Sequence, residues 1–373
     1  MSTTEELAIV IPEEEPVEDV NEPAEVLTYR YSITGYGADY PVDGLVKRLE
    51  AGDVVIPTFD PEIRVNDQVG GFQRQFVWTK PQCDKFIESL LLGFPVPGIF
   101  LVKQADGRFL VLDGQQRLRT LQAFYKGILR GKVFTLEDVQ PRYRGRTYAS
   151  LDDEDRRHLD DSIIHATIIR QEQPSEDQSS VYMIFERLNT GGTLLQPQEI
   201  RVALYQGQFV NLLRELNGFQ PWRQLYGKIS SSLKDQELIL RFFAMFYWSE
   251  KYAAPMKEFL NKFMGQNRDF QVQSEVAMRT TFQETAGLIF SALGPRAFRL
   301  KSAVNAAVAD AVMVGVARRL TSGKVADKAE LRASYEALLR NEDFLAVVSK
   351  STANEDNVKR RLTLATAAFA AVA

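Results

Sequence analysis

Val111-Leu112-Asp113-Gly114-Gln115-Gln116-Arg117-Leu118-Arg119-Thr120-Leu121 changes its hydrophobic period half-way along. Ahead of Asp113, Ile99 to Lys103 and Arg108 to Leu112 are short apolar runs joined by Gln104-Ala105-Asp106-Gly107, and an Asp-Gly pair between such runs predicts a β-hairpin. Behind it, Leu118, Leu121, Phe124 and Tyr125 recur at helical spacing until Gly127 stops them. The stretch therefore reads as a strand delivering Gly114 directly to a helix. Unpaired N–H groups at such a helix start are suited to phosphate oxygens, and Arg117 in the first turn adds a permanently charged fork. Asp113, at the strand end, is placed either to cap the helix or to carry Mg²⁺. A plain Asp cap with a solvated first turn accounts for the local pattern equally well.

Upstream, Phe72-Gln73-Arg74-Gln75-Phe76-Val77-Trp78 precedes a predicted helix. Thr79 is its N-cap and Pro81 lies in its first turn, while Phe86, Ile87, Leu90 and Leu91 form its apolar face and Gly93 ends it. Before this, the signals are weaker: a short helix at Leu45 to Leu49 and a strand at Val54 to Phe59. Cys83, the sole cysteine, falls on the 79–93 helix and is read as a packing residue, since no base is in evidence for it. One cysteine forms no intramolecular disulfide, and it cannot build a cysteine zinc site.

Downstream, residues 117–146 hold eight basic side chains against Glu137 and Asp138. Within them, Arg142, Arg144 and Arg146 surround Tyr143, a composition that suits either a nucleic-acid contact or a solvated loop. His158 and His165 straddle a predicted change from helix to strand, which argues against a metal pair or a triad. A strand is predicted at Ile163 to Arg170. Val181, Ile184, Phe185 and Leu188 mark a helix whose end carries Glu186, Arg187 and Asn189 before Gly191-Gly192. The next helix starts near Pro197 with Glu199 and Arg201 in its first turns. These side chains fit an ordinary helical hairpin, and they also fit the wall of a ligand pocket.

From Tyr205 onward the pattern is helical, with segments near 235–246, 255–264, 273–292, 299–320, 326–340 and 356–372. The stripe Leu238, Ile239, Phe242, Phe243 and Phe246 is expected to be core. No internal repeat or sustained heptad is visible.

The chain has 373 residues, 45% hydrophobic and 25% charged, with a net charge of −4. That is ordinary for a globular protein of about two domains. The first 28 residues carry nine acidic side chains and no basic one, leaving 40 acidic against 45 basic, a formal +5, for the rest. With three prolines as well, residues 1–28 read as a disordered acidic tail. The absence of an apolar run long enough to span a bilayer, and of a signal-peptide pattern, predicts a cytoplasmic protein without a membrane partner.

FQRQFVW at 72–78, the helix and Pro-x-Pro at 79–97, VLDGQQRLRTL at 111–121, FERLNTGG at 185–192, QEIR at 198–201 and DQELILRFF at 235–243 together resemble the N-terminal domain of the GmrSD type IV restriction enzymes, a family of ParB/sulfiredoxin-like domains. The resemblance spans roughly residues 40–250. It implies an α+β fold, a small mixed sheet with helices over residues 29–204, followed by an all-α domain over 205–373. It also implies binding and hydrolysis of a nucleoside triphosphate, GTP among the candidates, with Mg²⁺, in defence against phage or modified DNA. By position, Asp113, Gln115, Gln116 and Arg117 become the catalytic centre, with the metal on Asp113. Gln73, Arg74, Gly114, Arg187, Asn189, Glu199 and Arg201 become nucleotide-binding residues along with Arg117. Expected partners are DNA, a separate nuclease or other protein, and a second copy of the chain. Residues 166–373 contain no histidine and so cannot be the HNH nuclease domain of full-length restriction members. Two alternatives to an NTPase stand beside it: a nucleotide-switched DNA- or partner-binding module, and a prophage-encoded interference protein.

Overall fold

The apolar runs around Asp106-Gly107 pair antiparallel and form the middle of a mixed sheet. The structure, a computed structural model, describes residues 32–57, 78–104, 106–173, 179–188 and 196–373. Strands β1 (Ser32–Pro41), β2 (Val54–Val55), β3 (Ile99–Lys103), β4 (Phe109–Asp113) and β7 (Ile163–Gln173) lie in the order β1-β7-β3-β4-β2, while β5 (Ile128–Leu129) and β6 (Lys132–Val133) pair as a small separate ribbon. The β1–β7 and β3–β4 pairs are antiparallel, and β3–β7 and β2–β4 are parallel.

Both faces of the central strands are covered, which explains why β4 reads Phe-Leu-Val-Leu without alternation. Ile99, Leu101, Val111, Ile164, Ala166 and Ile168 face a core shared with helices α1 (Val42–Ala51), α2 (Lys80–Leu91), α3 (Gln115–Lys126) and α4 (Asp153–Asp161). Val102, Leu110, Leu112 and Ile169 are buried outside that cluster, and α5 (Ser179–Leu188) packs against β4 and β7.

The helix over 79–93 forms as expected, its entry fixed by Gln82, whose amide oxygen accepts from the Thr79 N–H at 2.8 Å. Cys83 is fully buried, and burial pushes its thiol pKa up, in keeping with a packing role. Two local expectations change. The strand at 54 is only the pair Val54–Val55, because its parallel partner β4 offers it two positions, and residues 58 and 59 lie outside the described residues. The ten-residue β1 was not read at all: Ser-Ile-Thr-Gly-Tyr-Gly-Ala-Asp-Tyr-Pro has two glycines and no clear alternation, and its conformation comes from pairing with β7.

The chain divides between Leu195 and Gln196 into two compact units, so the helix starting at Pro197 belongs to the second. That unit consists of α6 (Pro197–Leu204), α7 (Gln208–Asn217), α8 (Gln220–Tyr226), α9 (Lys234–Trp248), α10 (Met256–Gln266), α11 (Glu275–Leu293), α12 (Ala306–Thr321), α13 (Lys328–Leu338), α14 (Glu342–Ser349) and α15 (Glu355–Ala370). Helix α12 is buried all round from Ala306 to Ala317 and is the axis of the unit. Its Gly315 lets α15 approach closely, since a Cβ there would stand 2.9 Å from the Phe369 ring. The aromatic stripe of α9 is core: Phe242 and Phe243 are buried. Residues 299–305 are not helical, because the Asn305 side chain caps α12 by accepting from the Val308 N–H. No helix among the described residues is long and apolar enough to cross a membrane.

Candidate functional site at the β4–α3 junction

Gly114 joins β4 to α3 with φ 95°, a left-handed conformation, and a Cβ at this position would lie 2.4 Å from the Ile99 side chain. Only glycine fits both demands. Gly114 is itself the N-cap of α3, so the cap residue offers no side chain to the first-turn amides. The expectation that Asp113 caps the helix is therefore not met. Its carboxylate turns instead to Arg117, whose Nη2 donates to Asp113 Oδ2 at 2.8 Å and to the Gly98 carbonyl at 2.8 Å. Gly98 is also a forced glycine, since a Cβ would stand 2.7 Å from the His165 carbonyl oxygen.

Arg117 is 14% exposed and Asp113 45% exposed, so the pair is seated at the rim of the unit, open to water on the carboxylate side. The buried Arg117 Nε has no hydrogen-bond partner among the described residues. The two glutamines separate. Gln115 is half-buried at the first helical position, whereas the Gln116 Oε1 accepts from the Trp78 backbone N–H at 3.2 Å.

The remaining predicted residues fall on α5, outside the described residues and in the helical unit. Glu186 and Arg187 fall in the last turn of α5, the helix that packs on β4 and β7, and Arg187 is exposed. Gln73, Arg74 and Asn189 lie outside the described residues. Glu199 and Arg201 belong to the helical unit, where neighbours use them. Glu199 Oε2 accepts from the Gln196 N–H at 2.6 Å, and burial pushes its carboxyl pKa up. Arg201, 1% exposed, donates to Glu237 at 2.7 Å, Asn261 at 2.9 Å and Gln198 at 3.2 Å.

Of the loop arginines, Arg142 donates to Asp155 at 2.6 Å and Arg146 to the Ser150 carbonyl at 2.8 Å, while Arg144 is exposed. His165 Nδ1 pairs with Asp39 across the β1–β7 register. Sequence reading missed Gly98 and Arg119; a glycine directly after Pro95-Val96-Pro97 and before a strand was the available signal for the first.

Residues 59–206 match the family described as the GmrSD restriction endonuclease, N-terminal domain. This stretch of the chain is similar to GmrSD N-terminal domains. No curated protein matches the chain. The GmrSD match includes the whole β4–Gly114–α3 junction and continues through α6. Its description places that family among restriction endonucleases.

Among the described residues no three His, Cys, Asp or Glu side chains come together to hold a metal ion. Asp113 alone, with its 45% exposure, fits Mg²⁺ of the kind bound by one carboxylate, phosphate oxygens and water, rather than a cation held in a protein cage.

Proposed function

We propose that the GmrSD-like domain binds a nucleoside triphosphate with its phosphates at the start of α3, in a protein acting in restriction of foreign or modified DNA. The observation that carries this reading is the Arg117 guanidinium, held in the first turn of a helix whose cap residue is a glycine, beside an open carboxylate. The helix amides and Arg117 act on phosphate oxygens together. Asp113 would hold Mg²⁺, which would neutralise phosphate charge, and Arg117 bonds only one of the two carboxylate oxygens. Nucleotide and metal would then favour each other, because phosphate oxygens meet both the Arg117 charge and the cation.

Hydrolysis of the triphosphate is the first form of this reading, with Gln115, at the first helical position, to orient water. A nucleotide-switched binding module is the second, favoured by the use of the Gln116 amide oxygen on Trp78. The output would pass to DNA, to a separate nuclease, or to a second copy of the chain. Calorimetric titration of Mg²⁺ with GTP or ATP tests the binding, and absence of heat at millimolar nucleotide defeats it. Phosphate release with turnover then separates enzyme from switch.

A further inference from the structure

Helix α3 makes two polar contacts that an anion site does not require. Arg119 is 3% exposed and its Nη2 donates to the Pro57 carbonyl at 3.2 Å. Sequestering a guanidinium this completely is costly, and burial lowers its pKa to about 10. Three residues earlier, on the same face of the helix, Gln116 Oε1 accepts from the Trp78 N–H. A third bond comes just past the end of α3, where Arg130, at a left-handed φ of 51°, donates from Nη2 to the Trp78 carbonyl at 2.9 Å. The Trp78 ring is fixed edge-on to Phe86, with centroids 5.6 Å apart.

Pro57 and Trp78 are separated by twenty residues of chain, yet both are bonded to one helix. Gln116 stands next to Arg117 in the first turn, so the anchor of Trp78 and the candidate phosphate ligand share one piece of backbone. That bond aims the Gln116 amide oxygen at the Trp78 main chain, and an amide anchored there is not free to turn toward an attacking water. We infer that Gln116 and Arg119 are positioning residues, fixing the chain at Trp78 and Pro57 to the helix that presents Arg117, and that Gln116 does not itself touch the reacting atoms. This rests on the nucleotide-binding reading of Arg117 for its functional consequence, but not for the anchoring itself.

Hydrogen exchange at the Trp78 amide tests the anchor without any nucleotide. Gln116→Ala should speed that exchange about five- to ten-fold, the scale of one lost hydrogen bond. Gln116→Glu keeps an acceptor oxygen and should exchange like the wild type, and circular dichroism of both variants confirms the fold. Unchanged exchange in Gln116→Ala, or exchange as fast in Gln116→Glu as in Gln116→Ala, overturns the anchor. With Mg²⁺ and GTP or ATP, Gln116→Ala should lower affinity more than it lowers turnover at saturating nucleotide. The reverse split puts Gln116 in the chemistry and overturns its assignment. If the wild type binds no nucleotide, the functional reading fails while the exchange result still decides the anchor.

Discussion

In the helical unit, the Asp310 carboxylate accepts from Arg241 Nε at 3.1 Å, Arg241 Nη2 at 2.7 Å and Arg361 Nη2 at 2.8 Å, with all three side chains at most 6% exposed. In the sheet-bearing unit, the Asp113 carboxylate accepts from Arg117 at 2.8 Å and is 45% exposed. The chemistry is the same and the saturation differs. Asp310 sits in the second turn of α12 and ties it to α9 and α15, so its lone pairs are used by the fold. Asp113 and Arg117 keep capacity at a rim where a ligand can reach them. An arginine–carboxylate pair is a binding candidate when its partners can be exchanged, and a structural one when they cannot.

Removing the two carboxylates should break this comparison most visibly. Asp310→Asn leaves two buried guanidinium groups facing a neutral amide and should cost about 3–5 kcal/mol of stability, the range for an interrupted buried pair. Asp113→Ala should stay within about 1 kcal/mol, as half-exposed pairs do. Urea unfolding followed by circular dichroism measures both; equal losses would mean that exposure does not separate the two roles.

Acid sharpens the same contrast. Burial pushes the Asp310 pKa up, but the Arg241 and Arg361 charges outweigh it and hold the carboxyl below its ordinary value. A depressed carboxylate contributes stability that is present above its unfolded pKa, roughly 4, and lost as pH falls through the folded value. The wild type should therefore lose stability below about pH 4, with a smaller slope in Asp310→Asn. Identical slopes would exclude Asp310 as a source of acid sensitivity.

For Arg117→Ala the expected loss is in binding. Nucleotide affinity should fall by roughly 1.5–3 kcal/mol, the scale of a charge-assisted contact, with little change in the urea midpoint. A variant that binds like the wild type but unfolds earlier would move Arg117 into the class of Arg241.

Much of the site was legible because the period change at Asp113-Gly114 is a local signal, set by backbone geometry that only glycine satisfies. The covered hairpin and the start of α2 at Thr79 and Pro81 are local as well. What stayed hidden was non-local. Nothing in the sequence says that Arg117 turns back to Gly98, or that Gln116 accepts from Trp78, because those contacts join positions 19 and 38 residues apart. The partners of Arg201 were hidden in the same way: only the tertiary contacts show it bonded to Glu237 and Asn261, 36 and 60 residues away. Strand β1 was missed because its pairing partner is more than a hundred residues away in sequence.

The smallest effects are expected in the loop that follows α3. Arg142 is engaged by the buried Asp155, which raises its pKa chiefly through that hydrogen bond, and its ring neighbour is Tyr143, with the guanidinium 5.4 Å from the ring centroid. Arg146 donates to the Ser150 carbonyl, whereas Arg144 is exposed between them. If this loop contacts DNA, the exposed Arg144 contributes one phosphate contact, and Arg142 contributes less because it must first leave Asp155. Arg144→Ala should then reduce the slope of log affinity against log salt by about 1 and weaken binding similarly for every sequence. Arg142→Ala should change that slope less and the stability of its own unit more. Titrations of labelled duplex at 50–200 mM salt, about the range over which such slopes are measured, decide between them. A larger slope change for Arg142 than for Arg144 would show that the Asp155 pair opens on contact with DNA, and that an internally bonded arginine can still serve a ligand.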